Sequence, residues 1–277
     1  MSLLSPISVQ MPPLHDSPTV VESPLSKEEA KQRANELMLQ VAELQALMVG
    51  AGTHRLLLVL QGLDASGKDG VVRFVMRQGD PLNCHVKAFK MPTPDELAHD
   101  FLWRVHAAVP AIGMMGIFNR SHYEDVVAAY VRGTITNSIR QQRFGDIRNF
   151  ESLLLDHNTI IIKCFLHIDK AEQASRLIAR EQQLDTAWKL SAEDWRDRQH
   201  FDDYLTAYDE AMRATHTPGA PWYVIPANRK WYRNLLIADA LFQHMQPFRQ
   251  EWSEVLQMMQ RDRMTAIQRV RAELEKE

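Results

Sequence analysis

Short apolar blocks alternate with amphipathic stretches along most of the chain. Leu56 to Gln61, His85 to Phe89, Ile112 to Phe118, Thr159 to His167 and Trp222 to Ile225 are compact apolar runs of strand length. Between them a helical three-to-four-residue rhythm fills Asp69 to Arg77, Asp95 to Val109, Glu124 to Val131, Asp146 to Asp156, Lys170 to Glu181, Ala192 to Thr215 and Lys230 to His244. This alternation predicts an α/β fold of repeated βαβ units around a parallel sheet. Ser26-Lys27-Glu28-Glu29 fits a capping box, and Leu37, Val41, Leu44 and Met48 then predict an amphipathic helix up to Gly50. After Pro247, Gln250 to Glu277 carries Trp252, Leu256, Met259, Ile267, Val270 and Leu274 in a 3.5 to 3.6 rhythm, a stripe that packs on the domain or on a second subunit. Met1 to Pro24 is rich in proline and serine without a hydrophobic period, which predicts a disordered arm over residues 1–24 ahead of one domain over 25–277.

Composition narrows the function classes. The chain has 277 residues, 45% hydrophobic and 24% charged, with 32 Lys and Arg against 35 Asp and Glu. A net charge of -3 gives no global reason to bind nucleic acid or an anionic membrane, so a highly anionic partner needs a local basic patch. No apolar run approaches the roughly 20 residues of a membrane span. Cys84 and Cys164 lie in apolar surroundings and read as reduced core thiols, which excludes a disulfide framework or a cysteine-ligated zinc. With no basic-then-apolar leader at the start, a cytoplasmic location is expected.

The first candidate site is Gly62-Leu63-Asp64-Ala65-Ser66-Gly67-Lys68, which follows an apolar strand and opens a helix. In that context Gly-x4-Gly-Lys has a mechanism: glycines let backbone N–H groups wrap a phosphate, the helix N-terminus adds partial positive charge, and Lys68 adds a full one. A plain strand-to-helix turn is the alternative. Where such loops carry Ser or Thr after the lysine, this chain has Asp69, and a further acid, Asp64, lies inside the loop. A carboxylate in a phosphate cradle repels the ligand unless a divalent cation sits between them, which makes Asp64 the candidate magnesium ligand. A solvated loop carboxylate is the alternative for Asp64, and a helix cap for Asp69.

The second site is the polar cluster Asn119-Arg120-Ser121-His122-Tyr123-Glu124-Asp125 at the carboxyl end of the third apolar block, the edge where open α/β sheets bind ligands. Asn119 stands where an aspartate is usual; a helix N-cap is its other reading. Lys87 and Lys90 flank the second block, and Arg176 and Arg180 are one turn apart on a helix with Lys189 beyond it. Guanidinium pairs of that spacing suit phosphate oxygens, and a solvated helix face is the alternative. His122, His167 and His200 show no metal-ligand spacing.

These residues, from Gly62 to Gly70, from Phe118 to Asp125, and from Ala220 to Ala227 followed by Lys230-Trp231-Tyr232, closely resemble polyphosphate kinase family 2 from about Ser26 to Gln246. The resemblance implies a P-loop kinase core related to thymidylate kinase. Its layers are α/β/α around a five-stranded parallel sheet, with a helical lid over about residues 170–215. It implies magnesium-dependent phosphoryl transfer between inorganic polyphosphate and nucleotides, with manganese as an alternative ion, and a homo-oligomer, either dimer or tetramer. Adenine nucleotides are the expected acceptors and guanine nucleotides a further class. Carried over by position, Asp64, Lys68, Asn119 and Arg120 are catalytic, with Asp64 on the metal. Gly62, Ala65, Ser66, Gly67, Asp69, Gly70, Lys90, Tyr123 and Glu124 hold phosphate and nucleotide, and Arg176, Arg180 and Lys189 are polyphosphate contacts of the lid. Asn-Arg-Ser-His-Tyr-Glu-Asp looks like the family's third class, associated with phosphorylating both AMP and ADP. Leu184-Asp185-Thr186 departs from the usual lid pattern. The other readings of the loop and lid are an ATP-dependent nucleoside or nucleotide kinase and a regulatory nucleotide switch.

Overall fold

The computed structural model describes residues 3, 5–7, 11–182 and 192–274. Five strands, β1 (Arg55–Gln61), β2 (Cys84–Ala88), β3 (Met115–Asn119), β4 (Thr159–His167) and β5 (Trp222–Pro226), form one sheet in the order β2-β3-β1-β4-β5. All four pairings are parallel, with Leu58 of β1 opposite Ile117 of β3 and Ile162 of β4. β1 and β4 are apolar because both of their faces are covered. Leu56, Leu58 and Leu60 face a cluster with α1 (Lys27–Ala51) and a helix over Lys230–Met245. Leu57 and Val59 face the opposite cluster with helices over Asn137–Asp156 and Phe201–Thr215. From β1 the chain runs to β2 at one edge, and from β3 it crosses to β4 on the far side of β1, so a crevice opens between the carboxyl ends of β1 and β3, where the glycine loop lies.

Helix α2 (Lys68–Met76) begins at Gly67. In chain order the longer helices that follow are α3 (Asn137–Asp156), α4 (Lys170–Glu181), α5 (Phe201–Thr215), α6 (Lys230–Met245) and α7 (Arg249–Leu274).

Four helical expectations change in detail, and one of them, Glu124 to Val131, splits into a tighter turn at His122–Asp125 and a single turn at Ala128–Val131. Asp95 to Val109 forms two single turns, Pro94–Leu97 and Trp103–His106, because the Asp100 carboxylate accepts from the Leu102 N–H at 2.9 Å and competes with helical hydrogen bonding. α3 starts nine residues earlier than its apolar rhythm, at a Thr136 cap that accepts from the Ile139 N–H. Ala192 to Thr215 is interrupted by a tighter turn at Arg198–His200.

The arm before residue 25 also differs from its expectation. Ile7 donates to the Trp222 carbonyl at 2.9 Å, and Leu14, 1% exposed, donates to Asp209 Oδ1 at 3.2 Å. The Arg213 guanidinium donates to the carbonyls of Met11 and Pro12. Two buried apolar residues and these backbone bonds tie down a segment whose own composition carries no helical or strand period. Among the described residues no helix is long and apolar enough to cross a membrane, and Cys84 and Cys164 are unpaired thiols.

Candidate active site

The glycine loop turns back over its own lysine. Gly62 (φ 144°), Ala65 (φ 65°) and Gly67 (φ 102°) all have positive φ, which curls the backbone around the end of β1. A side chain at Gly67 is excluded twice, by φ and by Arg233 Nη1, which lies 2.2 Å from where a Cβ would stand. Lys68 Nζ donates to the carbonyls of Gly62 at 2.6 Å and Leu63 at 3.1 Å, spanning the cradle that a phosphate would fill. Burial, together with the Arg120 charge, pushes the Lys68 ammonium down to about 8, although Asp64, Glu124 and Asp69 pull the other way. Ser66 is fully buried, and its hydroxyl has no hydrogen-bond partner among the described residues.

Arg120 follows the last residue of β3 with φ 64°, a conformation that costs a non-glycine residue roughly 1 kcal/mol or more. Its backbone N–H donates to the Leu60 carbonyl at 3.0 Å, which holds the turn against β1. The guanidinium is braced between two acids: Nη2 against Asp64 Oδ1, and Nη1 donating to Glu124 Oε2 at 3.0 Å. Burial alone would raise the Asp64 pKa, yet Arg120, Lys68 and the more distant Arg180 and Arg132 hold it below the usual range. Asp64 therefore faces the crevice as a carboxylate. Beside it Asn119 Nδ2 donates to Asp69 Oδ1 at 2.8 Å, so the strand-end amide fastens the first turn of α2 and does not cap a helix.

Two cavities meet at this point. One, of about 580 Å³, is lined by Lys68, Arg73, Lys90, Arg120, Arg176, Arg180, Lys230 and Arg233 against only Asp64 and Asp69. The other, of about 670 Å³, shares Asp64, Phe89, Lys90 and Arg120 and continues into an apolar chamber with Met91, Leu97, Phe101 and Ile135. In that chamber the Arg143 guanidinium lies 4.7 Å over the Phe101 ring. Arg104 closes its floor, donating to the Lys90 carbonyl at 2.9 Å and to Asp125 at 3.1 Å. The first cavity suits a chain of phosphates; the second suits a flat, partly apolar group tethered to a phosphate.

The structure brings together Asp64, Lys68, Asp69, Gly70, Lys90, Asn119, Arg120, Arg176 and Arg180, with Glu124 lining the apolar chamber. One expected contact sits elsewhere. Tyr123 is fully buried beneath the loop, its hydroxyl within 2.9 Å of both Glu151 Oε1 and Thr215 Oγ1 in a network closed by the buried Lys163. Its side chain lines neither cavity, and its bonds hold the turn that carries Arg120.

Arg176 lines the cation-rich cavity with Arg180 and is also tied into the glycine loop. It is 9% exposed and donates to the carbonyls of Ala65, Ser66, Ala227 and Asn228 and to the Glu172 carboxylate. These bonds pin the glycine loop to the end of β5 from the wall of the cavity. Lys189 and Leu184 to Thr186 lie outside the described residues.

Arg233 was not singled out from its position in the chain. It sits one turn into α6, donates to the Gly67 carbonyl at 3.3 Å, and is pushed down to about 10 by burial and by Arg176 and Arg73. The only signal for it is its place directly after the last recognised motif, Lys230-Trp231-Tyr232. Arg73 and Lys230 complete the same wall.

Comparison with known proteins agrees with this geometry. The family Polyphosphate kinase 2 (PPK2) matches residues 24–252. The chain is 44% identical over 220 residues to the AMP/ADP-polyphosphate phosphotransferase of Meiothermus ruber, covering 79% of this chain and 82% of that one. It is 36% identical over 242 residues to the ADP-polyphosphate phosphotransferase of Rhodopseudomonas palustris, covering 82% and 84%. The crystal structure of polyphosphate kinase 2 from Arthrobacter aurescens TC1 superposes with a TM-score of 0.85 at 37% identity over 88% of both chains. The glycine loop, the braced Arg120 and the cation-lined crevice are thus those of a chain that belongs to the polyphosphate kinase 2 family.

Proposed function

We propose that this protein transfers a phosphoryl group between inorganic polyphosphate and AMP or ADP, with the polyphosphate in the cation-lined cavity and the nucleoside in the apolar chamber. The observation that carries the reading is the shared wall of the two cavities, Asp64, Lys90 and Arg120, where a donor phosphate and an acceptor phosphate would meet. Phosphoryl transfer asks a protein for in-line positioning and for fixed positive charge around the equatorial oxygens, with no covalent nucleophile. Lys68 supplies charge from the floor and Arg120 from the β3 side, held by Asp64 and Glu124 at a geometry that needs no reorganisation. Arg180 and Arg233 line the donor side, where the next phosphates of a chain would lie. Positive charge spread along that cavity favours a long polyanion over a single triphosphate, which sets this reading above an ATP-dependent nucleotide kinase.

Magnesium fits the donor set. Among the described residues no cluster of three or more His, Cys, Asp or Glu forms a cage, and the crevice offers Asp64 beside the phosphate cradle. Magnesium binds through one or two carboxylates plus substrate phosphates and keeps several waters, so Asp64 would hold it; manganese shares that chemistry. The ion would neutralise charge between the Asp64 carboxylate and the transferring phosphates.

The chamber around Phe101 and Arg143 offers stacking surface that any purine can use, so guanine nucleotides are further acceptors in this reading. Reduced Cys84 and Cys164 fit a cytoplasmic nucleotide pool. The test is to incubate the protein with magnesium, long-chain polyphosphate and AMP, ADP, GMP or GDP separately, with ATP as donor in a parallel series. New nucleoside di- and triphosphates from polyphosphate are expected. Transfer from ATP alone would reassign the donor cavity.

A further inference from the structure

Gln61 is the last residue of β1 and is fully buried. Alternation along the strand puts it on the face of Leu57 and Val59, which meets α5, in a row that is otherwise apolar. A buried primary amide must find partners there for its oxygen and for its N–H groups. The oxygen accepts from the Ser121 N–H at 3.1 Å and from the Ser121 hydroxyl at 3.0 Å, and the nitrogen donates to Glu124 Oε1 and to the Tyr208 hydroxyl, each at 3.0 Å. Turned the other way, the amide would set its oxygen against the Glu124 carboxylate and its N–H groups against the Ser121 N–H, so the neighbours fix which end is which.

Tyr208 reaches the same carboxylate from α5. It is buried, its ring lies 4.7 Å from that of Phe165, and its hydroxyl donates to Glu124 Oε1 at 3.4 Å. Burial and the Glu124 charge push the phenol well above its usual range, so the hydroxyl stays a donor. Glu124 thus has Oε1 held by an amide and a phenol from two other elements, while Oε2 accepts from Arg120 Nη1 at 3.0 Å. Ser121 closes the circuit, since its hydroxyl donates to Gln61 and accepts from the Tyr123 N–H at 3.2 Å in the turn that carries Glu124. Beside these groups Asp64, Arg120, Glu124, Tyr204 and Tyr208 line a cavity of about 20 Å³, room for one water molecule. On that side hydrogen bonds, and not close packing, hold the guanidinium.

We infer that Gln61 and Tyr208 are positioning residues for phosphoryl transfer: by fixing the Glu124 carboxylate they fix the direction in which the Arg120 guanidinium meets the phosphates. The inference rests on the transfer reaction proposed above. Neither residue lines either of the two cavities, so both act through Glu124 and Arg120 and not on substrate. Asp64, the other brace of Arg120, itself faces the phosphate cavity and shares its charge with Lys68, which leaves Glu124 as the brace fixed from behind. A guanidinium free to swing no longer supplies preorganised charge, and that loss falls on kcat more than on binding.

Gln61→Leu and Tyr208→Phe in the full chain test this. Tyr208→Phe removes one hydroxyl and keeps the ring against Phe165, so it reports on the brace even where Gln61→Leu, which leaves Ser121 and Glu124 short of partners, lowers stability. With polyphosphate, magnesium and ADP, kcat should fall by about 10- to 100-fold in Gln61→Leu and by several-fold in Tyr208→Phe, with KM for both substrates within about twofold of the wild type. In an Arg120→Ala background the same substitutions should cost less than about twofold, because their effect runs through Arg120. Arginine side-chain NMR of the unliganded protein reads the brace without turnover: rotation of the Arg120 guanidinium, hindered in the wild type, should become faster in both variants. Equal kcat losses with and without Arg120, a rise in KM at constant kcat, or unchanged Arg120 rotation in both variants overturns the inference. A wild type that uses ATP and not polyphosphate overturns the donor reading alone, and the same kcat ratios are then read with ATP. A wild type that uses neither donor overturns both.

Discussion

Asn119 and Asp69 are joined by a single hydrogen bond, Nδ2 to Oδ1 at 2.8 Å, which links the end of β3 to the first turn of α2 across the mouth of the phosphate crevice. The amide donates where an aspartate at the same strand end could not unless protonated. It therefore keeps one negative charge out of a site that already holds Asp64 and Asp69, and it fixes the direction in which Asp69 faces.

Asn119→Asp replaces that bond with two abutting carboxylates. The AMP-to-ADP ratio of kcat/KM should shift against AMP by several-fold, about 1 kcal/mol of differential stabilisation, because AMP brings the less charged phosphate cluster. A shared proton restores the bond, so the variant's activity relative to the wild type should rise as pH falls. Kinetics with both acceptors at saturating polyphosphate and fixed magnesium check this; an unchanged ratio places acceptor choice in the Phe101 chamber.

Lys68 supplies the pH dependence. Burial disfavours its ammonium, so the free protein loses this charge as pH rises through about 8, and kcat/KM for polyphosphate should fall above that pH. Bound phosphates favour the charged form, so kcat should hold to a higher pH. Lys68→Ala should cost about 10² to 10³ in rate with the fold intact. A flat kcat/KM profile to pH 10 would show that Lys68 stays charged in the free protein.

Arg176 and Arg180, one turn apart on α4, should separate cleanly. Arg176→Ala leaves carbonyls of the glycine loop and of the β5 end unpaired, and should lower stability by about 2 to 4 kcal/mol in denaturant unfolding. Arg180→Ala should leave stability near that of the wild type and raise KM for polyphosphate. That loss should shrink as salt rises, since exposed charges are screened over about 8 to 10 Å. Equal melting temperatures for the two variants would contradict the clamp.

Asp64 is held as a carboxylate by Arg120 and Lys68 despite its burial. Asp64→Asn should raise the magnesium concentration for half-maximal rate as well as lower the maximum, because the amide is a poorer ligand for a hard cation. It also frees Arg120 from one of its two braces. An unchanged magnesium profile with a reduced rate would leave Asp64 with the bracing role alone.

The amino-acid sequence by itself determined the parallel α/β architecture, the glycine loop and the polar strand end. Each is written in local residues: runs such as Leu56 to Gln61 are apolar because both faces of a central parallel strand are covered, and Gly62 and Gly67 stand where the turn demands positive φ. Tertiary structure alone decided what the cations do. Arg176 and Arg180 are indistinguishable by spacing and both line the cavity, yet Arg176 is also tied to the carbonyls of Ala65 and Ala227, residues far from it along the chain. Tyr123 reads as a site residue from its neighbours, but its orientation is set by Glu151 and Thr215 on two other elements. Arg233 reaches Gly67 across 166 residues, and Leu14 is buried by a helix it precedes by nearly two hundred. A side chain's role depends on which acceptors and surfaces the fold delivers to it, and those arrive from distant segments that local periodicity does not encode.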